Sequence, residues 1–318
     1  LITVVGPTAI GKTTLAIRIA QELGAEILSS DSRQFYHEIP IGTAQPSAAE
    51  RATVPHHFID FLSIQDEYSS GTFETEATQW LSDHFKAREE AGDTPVAVMA
   101  GGSGLYVQAV HAGFDDIPSD PEVREALNAQ VAAEGLAPLL EELQSLDPHH
   151  FAEVDQANTH RVIRALEVCR ISGQAYSTLR QNFADQLTVH PGGWARHNRR
   201  GWDTLTIGIG APRDWLHKRI NDRVHVMLED GWIEEAKRVL SHRDLNALKT
   251  VGYPQLFDFL EGKTDMETAT RKIQEATRQF ARRQLTWFHR QNDVHWVDAR
   301  CPENGTALAL KLIRDGHL

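Results

Sequence analysis

One run of eight residues constrains this chain more than any other. Gly6-Pro7-Thr8-Ala9-Ile10-Gly11-Lys12-Thr13 fits the pattern G-x-x-x-x-G-K-[ST]. It follows the apolar run Leu1-Ile2-Thr3-Val4-Val5 and precedes a segment of helical periodicity, in which Leu15, Ile19 and Leu23 share a stripe beside Ala16 and Ala20. A glycine-rich turn in that setting lets successive backbone N–H groups close around a phosphate, and the helix N-terminus adds a favourable dipole. Lys12 supplies a point charge, and the Thr13 hydroxyl can ligate Mg²⁺. The loop does not specify which phosphate compound it takes.

The rest of the chain sets this loop in an alternating pattern. Residues 26–30 read as a second short strand ending at Asp31, 72–91 as a helix, and 95–100 (PVAVMA) as a buried strand ending in Gly101-Gly102-Ser103-Gly104. Such alternation implies a parallel sheet with crossover helices, and ligands beyond the carboxyl ends of its strands. From 115 to 185 the pattern is helical and punctuated by Pro118, Pro121, Pro138 and Pro148, which predicts a helical insertion. Residues 186–203, rich in Gly, His and Arg, predict a mobile loop. A buried strand at 204–211, helices at 213–241 and 266–290 and a last strand at 294–299 complete the reading. The expected fold is α/β: a P-loop NTPase-like parallel sheet flanked by helices over 1–114 and 200–318, with an all-helical insertion over 115–199.

Composition narrows the class. Of 318 residues, 41% are hydrophobic and 24% charged, the profile of a soluble globular protein. No apolar run is long enough to span a membrane, and no membrane partner is expected. The two cysteines, Cys169 and Cys301, form no C-x-x-C pair, which argues against a zinc site or a disulfide framework and for a reducing, cytoplasmic compartment. Cys169 is expected to be buried and inert. The net charge of −12 looks wrong for a nucleic-acid binder, but residues 115–157 alone carry eleven Asp/Glu against one Arg. The remainder is near neutral and can carry basic patches. Residues 271–290 hold six Lys/Arg against one Glu, with Arg271, Arg278 and Arg282 at helical spacing on one face. By itself that stripe reads as a solvated helix face.

An ordinary phosphate-loop kinase or NTPase carries an Asp at the end of another apolar strand to hold Mg²⁺. Here that strand ends in MAGGSGLY, without an acid. The carboxylate stands instead at Asp31, on the strand expected to neighbour the loop strand and so to face the bound phosphates. It could be a general base, a distant partner of the metal, or a helix cap. His56-His57 resembles metal spacing only superficially, because alternate strand residues face opposite sides. Trp80, Trp215, Trp232 and Trp287 are expected in the core.

GPTAIGKT, SSDSRQFY, IGTAQPS, VPHHFID, GGSGLY, NTHRVIRALEV, TVGYPQL and RQFARRQLTWF occur in that order from residue 6 to 288. Together they resemble the tRNA dimethylallyltransferase family, in its shorter bacterial form. The resemblance implies transfer of a dimethylallyl group from dimethylallyl diphosphate to N6 of the adenosine just 3′ of the anticodon, with Mg²⁺ as cofactor and a tRNA anticodon stem-loop as partner. It implies that Asp31 is the general base, and that Ser32, Arg33 and Gln34 contact the flipped-out adenosine and its neighbours. Ser103 stands where the family usually has Thr, keeping a hydroxyl near the reacting centre. Gly6, Thr8, Ala9, Ile10, Gly11, Lys12 and Thr13 would hold the diphosphate, with Thr13 on the metal, Arg219 as a clamp and Arg223 as a second candidate. His160, Arg161 and Arg164, then Lys249, Gly252 and Tyr253, then Arg278 and Arg282 would contact tRNA. Some members read RCVGYRQ where this chain has LKTVGYPQ, so Lys249 and Pro254 replace two arginines. A monomer is expected.

Three alternatives use the same loop. A small-molecule kinase is disfavoured by the missing strand-end acid and the basic 271–290 stretch. An adenylate isopentenyltransferase is disfavoured by the long helical insertion, which a free nucleotide does not need. A non-catalytic RNA-binding protein would bind RNA but would not use Asp31 for chemistry.

Overall fold

Ile2–Val5 form a strand that neighbours cover on both sides and both faces, which is why the run is almost wholly apolar. The computed structural model describes residues 1–114, 117–180, 187–189, 195–197, 200–301 and 303–314. The elements begin with β1 (Ile2–Val5), α1 (Lys12–Leu23), β2 (Ile27–Ser29), α2 (Ala48–Thr53), β3 (His56–His57), α3 (Ser70–Ala91), β4 (Val98–Gly101) and α4 (Gly104–His111). Helices α5 (Pro121–Glu134), α6 (Ala137–Leu146), α7 (Pro148–Glu153), α8 (Thr159–Ser172) and α9 (Tyr176–Leu179) follow. The chain continues with β5 (Leu187–Val189), β6 (Ala195–His197), β7 (Asp203–Gly210), α10 (Arg213–Glu229) and α11 (Trp232–Val239). It ends with α12 (Tyr253–Leu260), α13 (Met266–Phe288), β8 (Val294–Asp298) and α14 (Glu303–Arg314).

The strands pair in the order β3-β2-β4-β1-β7, with β8 and β6 both on the far side of β7. Pairs from β3 through β7 to β8 are parallel, as the strand–helix alternation predicts, while β5 and β6 add an antiparallel flap. Alternate residues of β1 feed two apolar layers. Ile2 and Val4 join Leu15, Ile19, Val98, Ile207 and Ile220 on one side; Leu1 and Val5 join Leu28, Met99, Phe73, Trp232 and Phe288 on the other. Among the described residues no helix is long and apolar enough to cross a membrane.

Three expectations are corrected. The strand leading to Asp31 does not neighbour the loop strand: β4 lies between β2 and β1. The helix expected over 213–241 breaks at Gly231, whose φ of 99° lies in the left-handed region that glycine tolerates. Part of the loop expected at 186–203 is strand, because β6 pairs with β7 and carries β5 with it. The helical unit therefore runs Gly113–Gln186 and stops short of 199, while Leu1–Ala112 and Leu187–Leu318 form the other compact unit.

The helical unit has its own core of Leu127, Leu139, Leu143, Val162, Ile163 and Leu166. One fully buried carboxylate ties it together. Glu167 accepts from Asp120 N–H (2.9 Å), from Nε and Nη2 of Arg124 (3.0–3.2 Å) and from Arg164 (3.0 Å). Burial alone would raise its pKa, but the Asp120 N–H, Arg164 and Arg124 outweigh that and hold it below the ordinary value of 4.5. Its stabilising effect is therefore fully present above pH 4.5 and is lost as pH falls through the lowered value. Glu167→Ala removes the shared acceptor of Arg124, Arg164 and the Asp120 N–H and should cost about 1–3 kcal/mol. Urea unfolding followed by circular dichroism would measure this; a loss under about 1 kcal/mol, the size of an exposed ion pair, would contradict it.

Candidate active site

The loop between β1 and α1 is held open by its own backbone. Gly6 is packed so closely on β7 that a Cβ would sit 2.8 Å from the Ile209 carbonyl oxygen. Ala9 adopts a left-handed φ of 64°, a costly conformation for a residue with a Cβ. Gly11 caps α1 at a φ of 106°. The Ile10 side chain is buried in the apolar layer under the sheet, so this residue can offer a ligand only its backbone. Thr8, Ala9, Gly11, Lys12 and Thr13 line a cavity of about 700 Å³ at the carboxyl ends of the strands.

The same cavity is lined by Asp31, Ser32, Arg33, Gln34 and Ser103 from the ends of β2 and β4, and by Arg219 and Arg223 from α10. Asp31 turns at the strand end, where its Oδ1 accepts from the Arg33 N–H at 3.0 Å. The Ser103 hydroxyl accepts from the Ser32 N–H (3.1 Å) and donates to the Ser32 hydroxyl (3.2 Å), so it fixes the segment that presents Asp31. Gly101 permits this approach, since a Cβ there would meet Ser30 at 2.2 Å.

The cations converge on the loop. Arg219 Nε donates to the Ala9 carbonyl at 3.0 Å, and its guanidinium lies over the Trp215 ring at 5.0 Å. Arg223 Nη1 donates to the Thr8 hydroxyl at 3.3 Å, and Lys12 Nζ to the Pro7 carbonyl at 2.9 Å. Burial lowers Lys12 to about 8, against the pull of Asp31 and with the push of Arg223. Burial likewise lowers Arg223, again against Asp31. Two desolvated cations, Lys12 and Arg223, with the exposed Arg219 beside them, face one carboxylate and are short of negative charge, the electrostatic character of an anion site. Among the described residues no group of three His, Cys, Asp or Glu could cage a metal. A divalent ion here would rest on the Thr13 hydroxyl, ligand phosphates and water, which is how Mg²⁺ is usually held.

Several expected RNA contacts sit elsewhere. Tyr253 is fully buried, and its hydroxyl donates to Glu235 at 2.6 Å. Gly252 has a φ of 103° and lies against the Trp232 ring, where a Cβ would meet carbon at 2.0 Å. This Gly-Tyr pair is therefore structural; of that stretch, Lys249 lines the cavity. Gln34 lines it too, but its amide is spent on the Ser29 hydroxyl and the Ala44 carbonyl. Arg164 is spent on Glu167 and on the carbonyls of Ile117 and Pro118. His160 and Arg161 are exposed on the first turn of α8 in the helical unit. Arg278 donates to Asn221 on α10, whereas Arg282 is exposed. His56 and His57 are structural, bonded to the Val54 carbonyl and to Glu26. Cys169 is buried.

Three contributors escape a sequence reading. Glu235, fully buried, accepts from the N–H groups of Ile41 and Gly42, each at 2.8 Å, as well as from Tyr253. It thereby anchors the 41–46 loop, whose residues Gly42–Pro46 line the cavity. Gln284, also buried, bonds to Thr8 and Gly102. Trp287, expected in the core, is 37% exposed and packs over Gly104. With Arg282, Arg283 and Arg290 it lines a second cavity of about 400 Å³ on the outer face of α13. The usable signal for the first two is a polar residue on an apolar helical stripe: Trp232-Glu235-Ala236-Val239 and Ala281-Gln284-Phe288.

Comparison with known proteins bears on this geometry. The family model described as IPP transferase matches residues 34–291. A tRNA dimethylallyltransferase of Christiangramia forsetii is 44% identical over 299 residues, 94% of this chain and 93% of that one. A tRNA dimethylallyltransferase 2 of Parabacteroides distasonis is 41% identical over 297 residues, 93% of each chain. The crystal structure of a full-length tRNA isopentenylpyrophosphate transferase from Bacillus halodurans superposes with a TM-score of 0.65 at 31% identity, covering 100% of this chain and 99% of that one. A eukaryotic dimethylallyltransferase acting on tRNA shares the fold with a TM-score of 0.72 at 23% identity, over 94% of this chain and 73% of that one.

The desolvated lysine yields a stability prediction. With a folded pKa near 8, below the ordinary 10.5, its cost to folding is present in full below about pH 8 and is relieved as pH rises toward 10.5. Lys12→Met should therefore raise the melting temperature of the ligand-free protein at pH 7 and remove the stabilisation that pyrophosphate gives the unaltered chain. Thermal scans with and without pyrophosphate read both effects; a lower melting temperature for the ligand-free variant would contradict the account.

Proposed function

Since the chain belongs to the IPP transferase family and is a tRNA dimethylallyltransferase by kinship, we propose that it transfers the dimethylallyl group of dimethylallyl diphosphate to N6 of the adenosine just 3′ of the anticodon in tRNA. The observation that carries this reading is the single cavity shared by the Lys12 loop, Arg219 and Arg223 on one wall and Asp31 with Ser103 on another. One wall suits a leaving diphosphate; the other suits a nucleophile that must lose a proton.

The bond between C1 of the prenyl group and the diphosphate oxygen breaks, and a bond from N6 to C1 forms. Lys12, Arg219, Arg223 and the loop N–H groups stabilise the negative charge that develops on the departing diphosphate. The Thr13 hydroxyl would hold Mg²⁺ beside the diphosphate, where the ion would supply further stabilisation of that charge. Asp31 takes the N6 proton. The exocyclic amine is a weak nucleophile because its lone pair is delocalised into the ring, and removing its proton during attack is worth roughly 10²–10⁴-fold. Ser103 keeps Asp31 in place through Ser32. Ile220, Val224, Met227 and Phe280 give the α10–α13 side of the cavity an apolar surface that suits a five-carbon chain.

The adenine leaves its stack to enter the cavity, and its loop stays outside. Arg282, Arg283 and Arg290 with Trp287 offer phosphate contacts and an aromatic face for that loop, and Lys249 and Arg33 line the cavity it approaches. His160 and Arg161 are the exposed basic residues proposed for RNA on the helical unit.

Incubation with dimethylallyl diphosphate, Mg²⁺ and unmodified tRNA, followed by digestion and mass spectrometry, should yield N6-isopentenyladenosine. Asp31→Asn should lower kcat by about 10²–10⁴-fold with little change in the affinity for tRNA. Wild-type rates in that variant would remove Asp31 from the chemistry, and no product from the unaltered protein would overturn the reading. Trp287→Ala should raise KM for tRNA several-fold and leave KM for dimethylallyl diphosphate unchanged; the reverse pattern would take this face out of RNA binding.

A further inference from the structure

The buried side chain of Gln284 joins the two walls of the active site. Its Oε1 accepts the Thr8 N–H at 2.8 Å, and its Nε2 donates to the Gly102 carbonyl at 2.9 Å. The orientation of the amide is fixed by its partners, since an N–H can only donate and a carbonyl can only accept. The residue is 6% exposed, and a Cβ at Gly102 would collide with its Nε2 at 2.2 Å. From the geometry we infer that Gln284 is a positioning residue for the transfer reaction, setting the distance between the diphosphate loop and the turn that presents Asp31; this rests on the function proposed above.

Two facts make the amide more than a packing contact. Thr8 immediately precedes Ala9, the residue held at a φ of 64°. A non-glycine residue keeps such a conformation only where its surroundings over-determine it. Here Gln284 holds the backbone just before Ala9 and Arg219 holds the Ala9 carbonyl just after. The Thr8 N–H is thereby committed to Gln284, which leaves the later N–H groups of the loop for the diphosphate. At its other end, Gln284 holds Gly102, next to the Ser103 whose hydroxyl fixes Ser32 beside Asp31. Transfer needs N6, C1 and the leaving oxygen in line, and an error near 1 Å in such an alignment can cost about 10²-fold.

The test uses the full chain with dimethylallyl diphosphate, Mg²⁺ and an anticodon stem-loop RNA. Gln284→Ala should raise KM for dimethylallyl diphosphate and lower kcat, together by about 10–100-fold, while KM for the RNA is unchanged. Gln284→Glu gives a sharper readout. As a carboxylate it still accepts from Thr8, but it faces the Gly102 carbonyl without a proton and repels the diphosphate. Protonated, it has the same donor and acceptor as the amide. The ratio of Gln284→Glu to wild-type kcat/KM should therefore climb about 10-fold or more from pH 8 to pH 6, the change expected of one ionisation. A merely structural role would lower the melting temperature and leave that ratio flat. A flat ratio, or wild-type constants in Gln284→Ala, overturns the inference alone. Absence of isopentenyladenosine with the unaltered protein overturns the functional reading and takes this inference with it.

Discussion

Everything at the carboxyl end of the sheet depends on a shortage of negative charge. Lys12, Arg219 and Arg223 share one cavity with Asp31, and burial presses Lys12 and Arg223 toward deprotonation while Asp31 opposes it. The cations bond to the carbonyls of Pro7 and Ala9 and to the Thr8 hydroxyl. These neutral acceptors leave the positive charge uncompensated, whereas a phosphate oxygen brings an opposite charge. Burying Lys12 and Arg223 therefore costs stability, and the return would come in binding an anion.

Helix α13 organises the space around that cluster. Its inner stripe of Ile273, Ala281 and Phe288 is buried in the two apolar layers, and Gln284 on the same side reaches the loop and the Gly102 turn. Its outer side presents Arg282 and Trp287, with Arg290 just past its end, and Arg283 stands at the border of both cavities. One helix thus forms a wall of the chemical site and carries a basic, aromatic surface suited to nucleic acid. The chain's net charge of −12 conceals this, because acidic residues are concentrated in 115–157 and basic ones on α13.

Much of this was legible in the sequence, for identifiable reasons. The loop motif and the strands feeding it are local signals, and the parallel, helix-flanked sheet follows from their alternation. Asp31 could be singled out as the acid at the end of an apolar strand, whereas Ser103 came only with the family resemblance. The order of strands could not be read, since nothing local says that β4 inserts between β1 and β2. The strands β5 and β6 were hidden in a Gly- and Arg-rich stretch, where pairing with β7 overrides weak propensity. The Gly252-Tyr253 pair looked like a recognition segment and proved to be a buried lock on Glu235 and Trp232. A motif states that a residue matters, and only its burial tells whether it touches a ligand or holds a neighbour.

The central claim is that the Lys12 loop grips the diphosphate of a prenyl donor and not the phosphates of a nucleotide substrate. Isothermal titration of the unaltered protein in Mg²⁺, first with a non-reactive thiolodiphosphate analogue of dimethylallyl diphosphate and then with ATP, tests it most directly. The account predicts that the prenyl analogue binds more tightly and that Lys12→Met abolishes its binding. Tighter binding of ATP, or binding of the analogue undiminished by Lys12→Met, would contradict it.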